Sequence, residues 1–139
     1  MKKICIILMM FAIIALGALA AVNGQGTHTE YLRIHIRADS NEEAAQAVKY
    51  EVKEAIVAYL TPYLAECNSK AAAEKTLNAR LKDIERTADA VLEANGFSYR
   101  AKARVKNEEF PTRVYENITL EQGFYDALIV ELGSGKGDN

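Results

Sequence analysis

The chain has 139 residues, of which 50% are hydrophobic and 26% are charged, and its formal net charge is −2. This composition is typical of a globular protein, and the length suits a single domain. The slightly acidic balance excludes a general electrostatic attraction to nucleic acid, so no nucleic-acid partner is expected.

The first 22 residues are predicted to be an export segment. Two lysines precede an uncharged apolar run that extends from residue 4 to residue 22. This pattern is typical of a signal peptide, with an Ala-Leu-Ala cleavage candidate at residues 18–20, or of an N-terminal membrane anchor. The lysines keep the N-terminal end in the cytoplasm, so the rest of the chain is expected to be exported. Residues 23–29 are polar and predict a linker to a domain that spans residues 30–139.

The exported domain begins with a strand that has one apolar face. Residues 31–38 alternate between the two sides of this strand. The core side is formed by Leu32, Ile34, Ile36 and Ala38, and the other side by Tyr31, Arg33, His35 and Arg37. Because the apolar side must be covered, this strand is expected to lie well inside a sheet.

Two helices are predicted after this strand. Ser40 and Glu43 fit a capping box at the start of the first helix, and Pro62 ends or kinks it. Asn68 or Ser69 caps the second helix, which stops at Asn95-Gly96 because glycine favours the left-handed conformation found there. The apolar stripe of the second helix consists of Ala73, Leu77, Leu81, Ile84, Ala88 and Val91.

The remaining elements are predicted to be strands. Residues 97–106 alternate, Pro111 restricts the next strand to an edge or a first position, and Val114-Tyr115 forms a short strand. Residues 116–123 are interpreted as a loop, and residues 125–132 as a central strand with two apolar faces. This order predicts an α+β domain with two layers, in which two antiparallel helices pack on one face of a small mixed or antiparallel sheet.

The glycine-rich end of the chain superficially fits a nucleotide site. Gly133, Gly135 and Gly137 surround Lys136, as glycines do in phosphate-binding loops. Such a loop, however, needs a serine or threonine after the lysine and a helix that follows. We therefore predict a backbone turn with a solvated Lys136, and neither a nucleotide nor any other cofactor.

Two further groups of polar residues each allow a functional and a structural interpretation. His35, Asp39 and Ser40 are the nearest grouping of base, acid and nucleophile, which would suit an envelope hydrolase, but an exposed strand face beside a helix cap is favoured. The basic row of Arg100, Lys102, Arg104 and Lys106 would suit an anionic envelope surface, but a solvated face balanced by glutamates is favoured. No catalytic residue and no small-molecule substrate is predicted.

Cysteine and histidine are too few to form a metal site. The sequence contains two of each, without the spacings that zinc sites use. Cys67 is the one thiol outside the export segment. A small apolar filler, a free thiol and a disulfide with a cysteine beyond residue 139 all remain open for it.

The last third of the sequence, FPTRVYENITLEQGFYDALIVELGSGKGDN, resembles the stage II sporulation protein R family of endospore-forming bacteria. That family carries Phe-Pro-x-Arg/Lys-x-Tyr, then Gly-x-Tyr-x-Ala-Leu, then Ile-Gly-x-Gly-x-Gly-x-Asn. The matching positions are Phe110, Pro111, Arg113, Tyr115, Gly123, Tyr125, Ala127, Leu128, Gly133, Gly135, Gly137 and Asn139. The stretch RIHIRADSNEEAAQAVK is also similar to the family's Arg-x-x-Ile-Ala-Asn-Ser-Asp start.

The sequence departs from the family at three places. The family's Ala-Asn-Ser-Asp is Ala-Asp-Ser-Asn at residues 38–41, and its Pro-Ala-Gly is Glu-Gln-Gly at residues 121–123. Family chains continue after the matching asparagine with Trp-Trp-Cys and a proline-rich end that contains cysteine. The chain is therefore expected to be a truncated or a divergent member.

The resemblance implies a signalling role without catalysis. The family protein is exported from the forespore into the space between the two membranes. There it triggers a membrane-embedded aspartyl protease of the mother cell, which processes the precursor of sigma-E. The candidate partner contacts are side chains not needed for core packing, namely Arg33, His35, Arg37, Arg113 and Tyr115. A structural role is expected for Phe110, Pro111, Gly123, Tyr125, Gly133, Gly135 and Gly137.

Overall fold

The computed structural model describes the backbone of residues 13–15 and all of residues 31–138. The strands are β1 (Ile13–Ala15), β2 (Tyr31–Arg37), β3 (Ala101–Phe110), β4 (Arg113–Tyr115), β5 (Ile118–Leu120) and β6 (Gly123–Leu132). The helices are α1 (Glu43–Leu64), α2 (Lys70–Ala79) and α3 (Leu81–Ala94). The predicted linker, and the predicted export segment apart from β1, lie outside the described residues. Within the described ranges, no helix combines the length and hydropathy needed to cross a membrane.

The main sheet has the strand order β1-β2-β6-β3. Strand β6 runs parallel to β2 and antiparallel to β3, while β1 pairs antiparallel with Tyr31–Arg33. Strands β4 and β5 form a separate antiparallel pair. The central position of β6 follows from its sequence, because Ala127 to Val130 are all buried and only a strand covered on both faces can bury such a run. The predicted α+β class with a small mixed sheet is confirmed.

The main core lies between one face of the sheet and the three helices. Leu32, Ile34 and Ile36 of β2 pack in one cluster with side chains of α1, α2 and α3. The larger aliphatic side chains of the helices that are completely buried are Val52, Ile56, Leu60, Leu64, Leu77, Ile84 and Leu92. Each such aliphatic side chain stabilises the fold by about 1.5–3 kcal/mol relative to an exposed position. Cys67 belongs to this core as well and is 8% exposed, which is consistent with an apolar filler.

The opposite face of the sheet carries a second, smaller core. Phe110, Leu120, Tyr125, Ala127 and Ile129 are buried together on this side. Side chains of the β4–β5 hairpin pack against them, so one end of this face is covered. The prediction that the polar side of the first strand is solvent-exposed is therefore wrong: Arg33 of β2 is only 3% exposed, and Tyr31, His35 and Arg37 are only partly exposed.

The helical region differs from the prediction at one internal point. The predicted second helix is two helices, α2 and α3, which meet at Arg80, whose φ of −119° and ψ of 15° are not helical. The Arg80 guanidinium lies 3.5 Å from the centre of the Tyr63 ring and donates a hydrogen bond to the Tyr59 hydroxyl. These contacts hold the junction against α1.

The predicted loop over residues 116–123 also contains the short strand β5.

The helix caps are partly as predicted. The Ser69 side chain caps α2 by accepting a hydrogen bond from the Ala72 N–H at 3.1 Å, and Gly96 has the expected left-handed φ of 84°. The capping box is wrong, because α1 starts directly after Glu42 and the Ser40 hydroxyl accepts from the Glu42 N–H instead. Pro62 lies inside the last turn of α1, two residues before its end.

The glycine-rich end forms the predicted turn and folds back onto the loop that follows β2. The Ser134 N–H donates to Asp39 Oδ1 at 2.7 Å, the Gly137 N–H to the Ala38 carbonyl at 2.8 Å, and the Asp138 N–H to Asn41 Oδ1 at 2.6 Å. We call this contact between residues 133–138 and 38–41 the C-terminal clasp. It joins the two segments on which the family resemblance rests.

Candidate functional site

A cleft with a volume of about 220 Å³ opens beside β2. Its floor includes residues 34–36 of β2, one wall is the α1 segment from Lys49 to Lys53, and the other wall is formed by residues 110–115. The cleft therefore borders both cores. Its position is fixed by the packing of α1 on the sheet and by the return of the chain after β3.

The charges that line the cleft are all positive. They belong to Arg33, Lys49, Lys53 and Arg113, and no acidic residue is among the described residues that line it. Arg33 is 3% exposed and Lys49 is 4% exposed, and they are the two buried charged side chains in the described part of the chain. Burying a cation costs free energy that an anion can offset, so two buried cations in one cleft favour an anionic ligand.

Arg33 is held in place by aromatic side chains. Its guanidinium carbon lies 4.2 Å from the centre of the Phe110 ring and 4.8 Å from that of Tyr125, and Nη2 donates to the Tyr115 hydroxyl at 3.1 Å. Its Nη1 is buried and has no hydrogen-bond partner among the described residues. A fixed guanidinium with an unused donor is well suited to recognise a carboxylate or a phosphate.

The two lysines of the cleft lie in surroundings that disfavour their charged forms. Lys49 Nζ donates to the Asp138 carbonyl at 3.2 Å, which links the cleft to the C-terminal clasp. Burial lowers the pKa of Lys49; the Asp138 carboxylate opposes this effect, while Lys53 and Arg113 add to it. Burial also lowers the pKa of Lys53. A bound anion would counteract these causes and favour the charged form of both side chains.

Four of the five predicted contact residues lie at this cleft. Arg33, His35, Arg113 and Tyr115 all line it, although they come from β2 and from β4, far apart in sequence. Arg37 does not: its guanidinium donates to Glu108 at 2.7 and 2.9 Å and to Glu131 at 3.0 Å.

The carboxylates around Arg37 connect strands of the sheet and do not line the cleft. Glu131 of β6 lies between Arg104 and Arg37, and these two guanidinium groups, with Arg104 first, hold the pKa of Glu131 below its usual value. The cluster ties β2, β6 and β3 together on the open face of the sheet. Arg37 therefore has a structural partner set of its own.

Sequence reasoning missed the three cleft residues of α1, which are Lys49, Tyr50 and Lys53. One signal was present: Lys49 follows Ala45 by four residues and precedes Val52 by three, so it occupies the buried stripe of the helix. A lysine at such a position is expected to have a particular partner. Tyr50 has no such signal in the sequence; the structure shows that its large aromatic side chain is 58% exposed and available to a ligand.

The two further groups of polar residues behave as ordinary structural features. His35 Nδ1 lies 3.7 Å from Glu108 and its ring packs 5.3 Å from that of Phe110, whereas Asp39 accepts a hydrogen bond in the C-terminal clasp. The structure thus gives His35 and Asp39 separate partners. In the basic row, Arg104 pairs with Glu131, Lys106 lies 3.6 Å from Glu108, and Arg100 lies 3.9 Å from Asp89. Over residues 13–15 and 31–138, no cluster of metal-ligating side chains is present.

Residues 28–139 match the protein family described as Stage II sporulation protein R. The chain belongs to the stage II sporulation protein R family. Stage II sporulation protein R of Bacillus subtilis (strain 168) is 25% identical over 150 aligned positions, which include 100% of this chain and 67% of the relative. No solved structure matches the chain. Membership of the family assigns the chain a role in sporulation.

The residues that resemble the motifs of the family surround the cleft and the clasp. Phe110 and Tyr125 stack on Arg33, Pro111 lines the cleft, and Gly123 begins β6. At Gly133 a Cβ would collide with the Asp39 carboxylate, so glycine is needed for the close approach.

Proposed function

We propose that the chain is an exported signalling protein of endospore formation. It acts in the space between the forespore and the mother cell, where it triggers a membrane-embedded aspartyl protease that processes the precursor of sigma-E. Its family supports the role in sporulation, and the resemblance suggests the receptor and its substrate. The cleft supports the binding of a partner, because it gathers four cations without an acidic side chain among its described lining residues.

The signalling protein works by binding rather than by catalysis. The activation of a receptor requires only that the ligand favours the active state of the receptor over the inactive one. The cleft suits this task, since arginine and tyrosine, both of which line it, are among the residues that contribute most to protein interfaces. His35 and Asp39, the candidates for acid–base chemistry, have separate contacts that maintain the fold.

Charge reversal in the cleft tests the proposal. Lys53 and Arg113 line the cleft, and neither is fully buried. The double variant Lys53→Glu/Arg113→Glu of the full-length protein is therefore expected to fold and to lose its partner. In sporulating cells that lack their own copy, an immunoblot should show unprocessed sigma-E precursor.

The matched control is Lys102→Glu, which reverses an exposed charge on β3 outside the cleft. This variant should process the precursor at the normal rate. Normal processing by Lys53→Glu/Arg113→Glu, at a normal cellular level of the protein, would exclude the cleft as the signalling surface. Reversal at Arg33 and Arg37 is less informative, because these side chains hold the fold through Tyr115, Glu108 and Glu131.

A further inference from the structure

The cations that line the cleft have no direct counter-ion within residues 31–138. They are Arg33, Lys49, Lys53 and Arg113, and none of them forms a salt bridge with a carboxylate there. Outside the cleft, by contrast, Arg37 and Arg104 pair with Glu131 at 3.0 and 3.1 Å. The positive charge of the cleft is therefore available to an anionic group from another molecule.

We propose that the cleft is a binding pocket for a single carboxylate, which an aspartate or glutamate side chain of the protein partner supplies. The inference rests on the proposed function and specifies which group of the partner is recognised. Arg33 and Lys49 are the buried cations, and Lys53 and Arg113 are the more exposed ones. The carboxylate thus passes the outer pair and is held by the inner pair.

Arg33 supplies a fixed donor to the pocket. The rings of Phe110 and Tyr125 lie 4.2 and 4.8 Å from its guanidinium carbon, and the Tyr115 hydroxyl accepts from Nη2. These contacts leave Nη1 as a buried nitrogen without a hydrogen-bond partner among the described residues. Because the side chain is already restrained, little conformational entropy is lost when Nη1 donates to a carboxylate oxygen.

The lysine wall of the pocket carries mutual repulsion that a carboxylate would relieve. Burial lowers the pKa of Lys49, Asp138 opposes this effect, and the charges of Lys53 and Arg113 add to it. Lys53 and Arg113 are therefore close enough to repel Lys49. A carboxylate placed among these three cations replaces repulsion with attraction and favours the charged form of Lys49.

The depth of the pocket favours a carboxylate over a phosphate group. Arg33 and Lys49 are 3% and 4% exposed, so an anion that contacts them must lose most of its water. The cost of this step rises steeply with charge, which favours a carboxylate with one charge over a phosphate with two. Tyr50 and Pro111 also line the cleft and are exposed, so they are available to pack against the chain that carries the carboxylate.

An NMR titration of the purified full-length protein tests the inference. The probe is N-acetyl-glutamate N-methylamide, a blocked glutamate whose side-chain carboxylate is its one charge. We expect saturable binding that raises the pKa of Lys49, measured from the side-chain signal of isotope-labelled lysine. The neutral counterpart, N-acetyl-glutamine N-methylamide, should neither bind nor change this pKa.

Matched variants connect the binding with the cleft. Lys53→Gln/Arg113→Gln should weaken the binding of the blocked glutamate by about tenfold, because two of the four cations are lost while the buried pair remains. Lys102→Gln, at an exposed position of β3 outside the cleft, should leave the binding unchanged.

Four results would overturn the inference. They are no binding of the blocked glutamate, equal binding of the blocked glutamine, an unchanged affinity in the double variant, and tighter binding of inorganic phosphate or of vesicles rich in anionic lipid at Lys49. If the blocked glutamate fails to bind while Lys53→Glu/Arg113→Glu still blocks precursor processing, the signalling role stands and only the carboxylate pocket is lost. Binding together with normal processing by that variant would keep the pocket and exclude it as the signalling surface.

Discussion

At the scale of single residues, the most informative feature is the pair of buried cations, Arg33 and Lys49. Apolar side chains of similar size would occupy both positions at a lower free-energy cost. Arg33 is partly compensated by the rings of Phe110 and Tyr125 and by the Tyr115 hydroxyl. Lys49 donates to the Asp138 carbonyl, and its ammonium lies 4.8 Å from the centre of the Tyr50 ring. The free protein is therefore less stable than it could be, and a ligand would recover the difference.

Replacement of Lys49, the less compensated cation, should raise the stability of the protein and weaken its function. We expect Lys49→Met to raise the free energy of unfolding by about 1 kcal/mol, because it removes a charge that burial disfavours. In sporulating cells, the same variant should process less sigma-E precursor than the unmodified protein. Chemical denaturation measures the first effect, and Lys102→Met, at an exposed site, should change stability by less than about 0.5 kcal/mol.

The pH dependence of stability tests independently whether the folded protein disfavours the charged form of Lys49. The folded protein releases the Lys49 proton at a lower pH than the unfolded chain, whose lysine has the ordinary value of 10.5. Between these two pKa values the unfolded chain binds more protons, so the free energy of unfolding should rise with pH there. Lys49→Met should reduce this rise. An identical slope in both proteins would show that Lys49 is not strained.

At the scale of elements, the periodic segments were predictable and their junctions were not. The alternation of residues 31–38 correctly gave the core face of β2, and the apolar run of β6 correctly gave its central position. The break between α2 and α3 left no trace in the pattern, because Leu77, Leu81 and Ile84 keep the spacing of a continuous helix across Arg80. Side-chain contacts with Tyr59 and Tyr63 of α1, which lie outside that segment, hold the break.

The C-terminal clasp is the element on which glycine substitutions should act most strongly. Gly133 has a φ of 59°, and a Cβ there would collide with Asp39; at Gly137 a Cβ would collide with the Ser40 carbonyl. Each change to alanine should lower the melting temperature by more than the control Gly96→Ala does. Gly96 has a φ of 84° but open space around it, so that change costs only the backbone strain of about 1 kcal/mol.

The clasp experiment also tests the link to the cleft. Because Lys49 donates to the Asp138 carbonyl, loosening the clasp should also reduce the processing of the sigma-E precursor. Melting temperatures for Gly133→Ala and Gly137→Ala no lower than that of Gly96→Ala would contradict the tight approach seen here.

At the scale of the whole molecule, the sequence predicted several residues of the site but not how they come together in space. Four of the five expected contact residues line the cleft, but the sequence predicts them only as side chains not needed for core packing, whereas Arg33 is buried. Its burial depends on the β4–β5 hairpin folding over the sheet, which no local pattern contains. Lys49 and Lys53 line the cleft only because α1 packs beside β2. The site exists because three distant segments meet, and this is set by tertiary packing.

The proposed function requires that the cleft, and not another surface, contacts the receptor protease. Tyr50 in the cleft is 58% exposed and Phe124 outside it is 63% exposed, so they are matched positions for a photo-crosslinking amino acid in the full-length protein. In sporulating cells, an antibody to the membrane-embedded aspartyl protease should detect a crosslink from position 50 and none from position 124. A crosslink from position 124 alone would contradict the account.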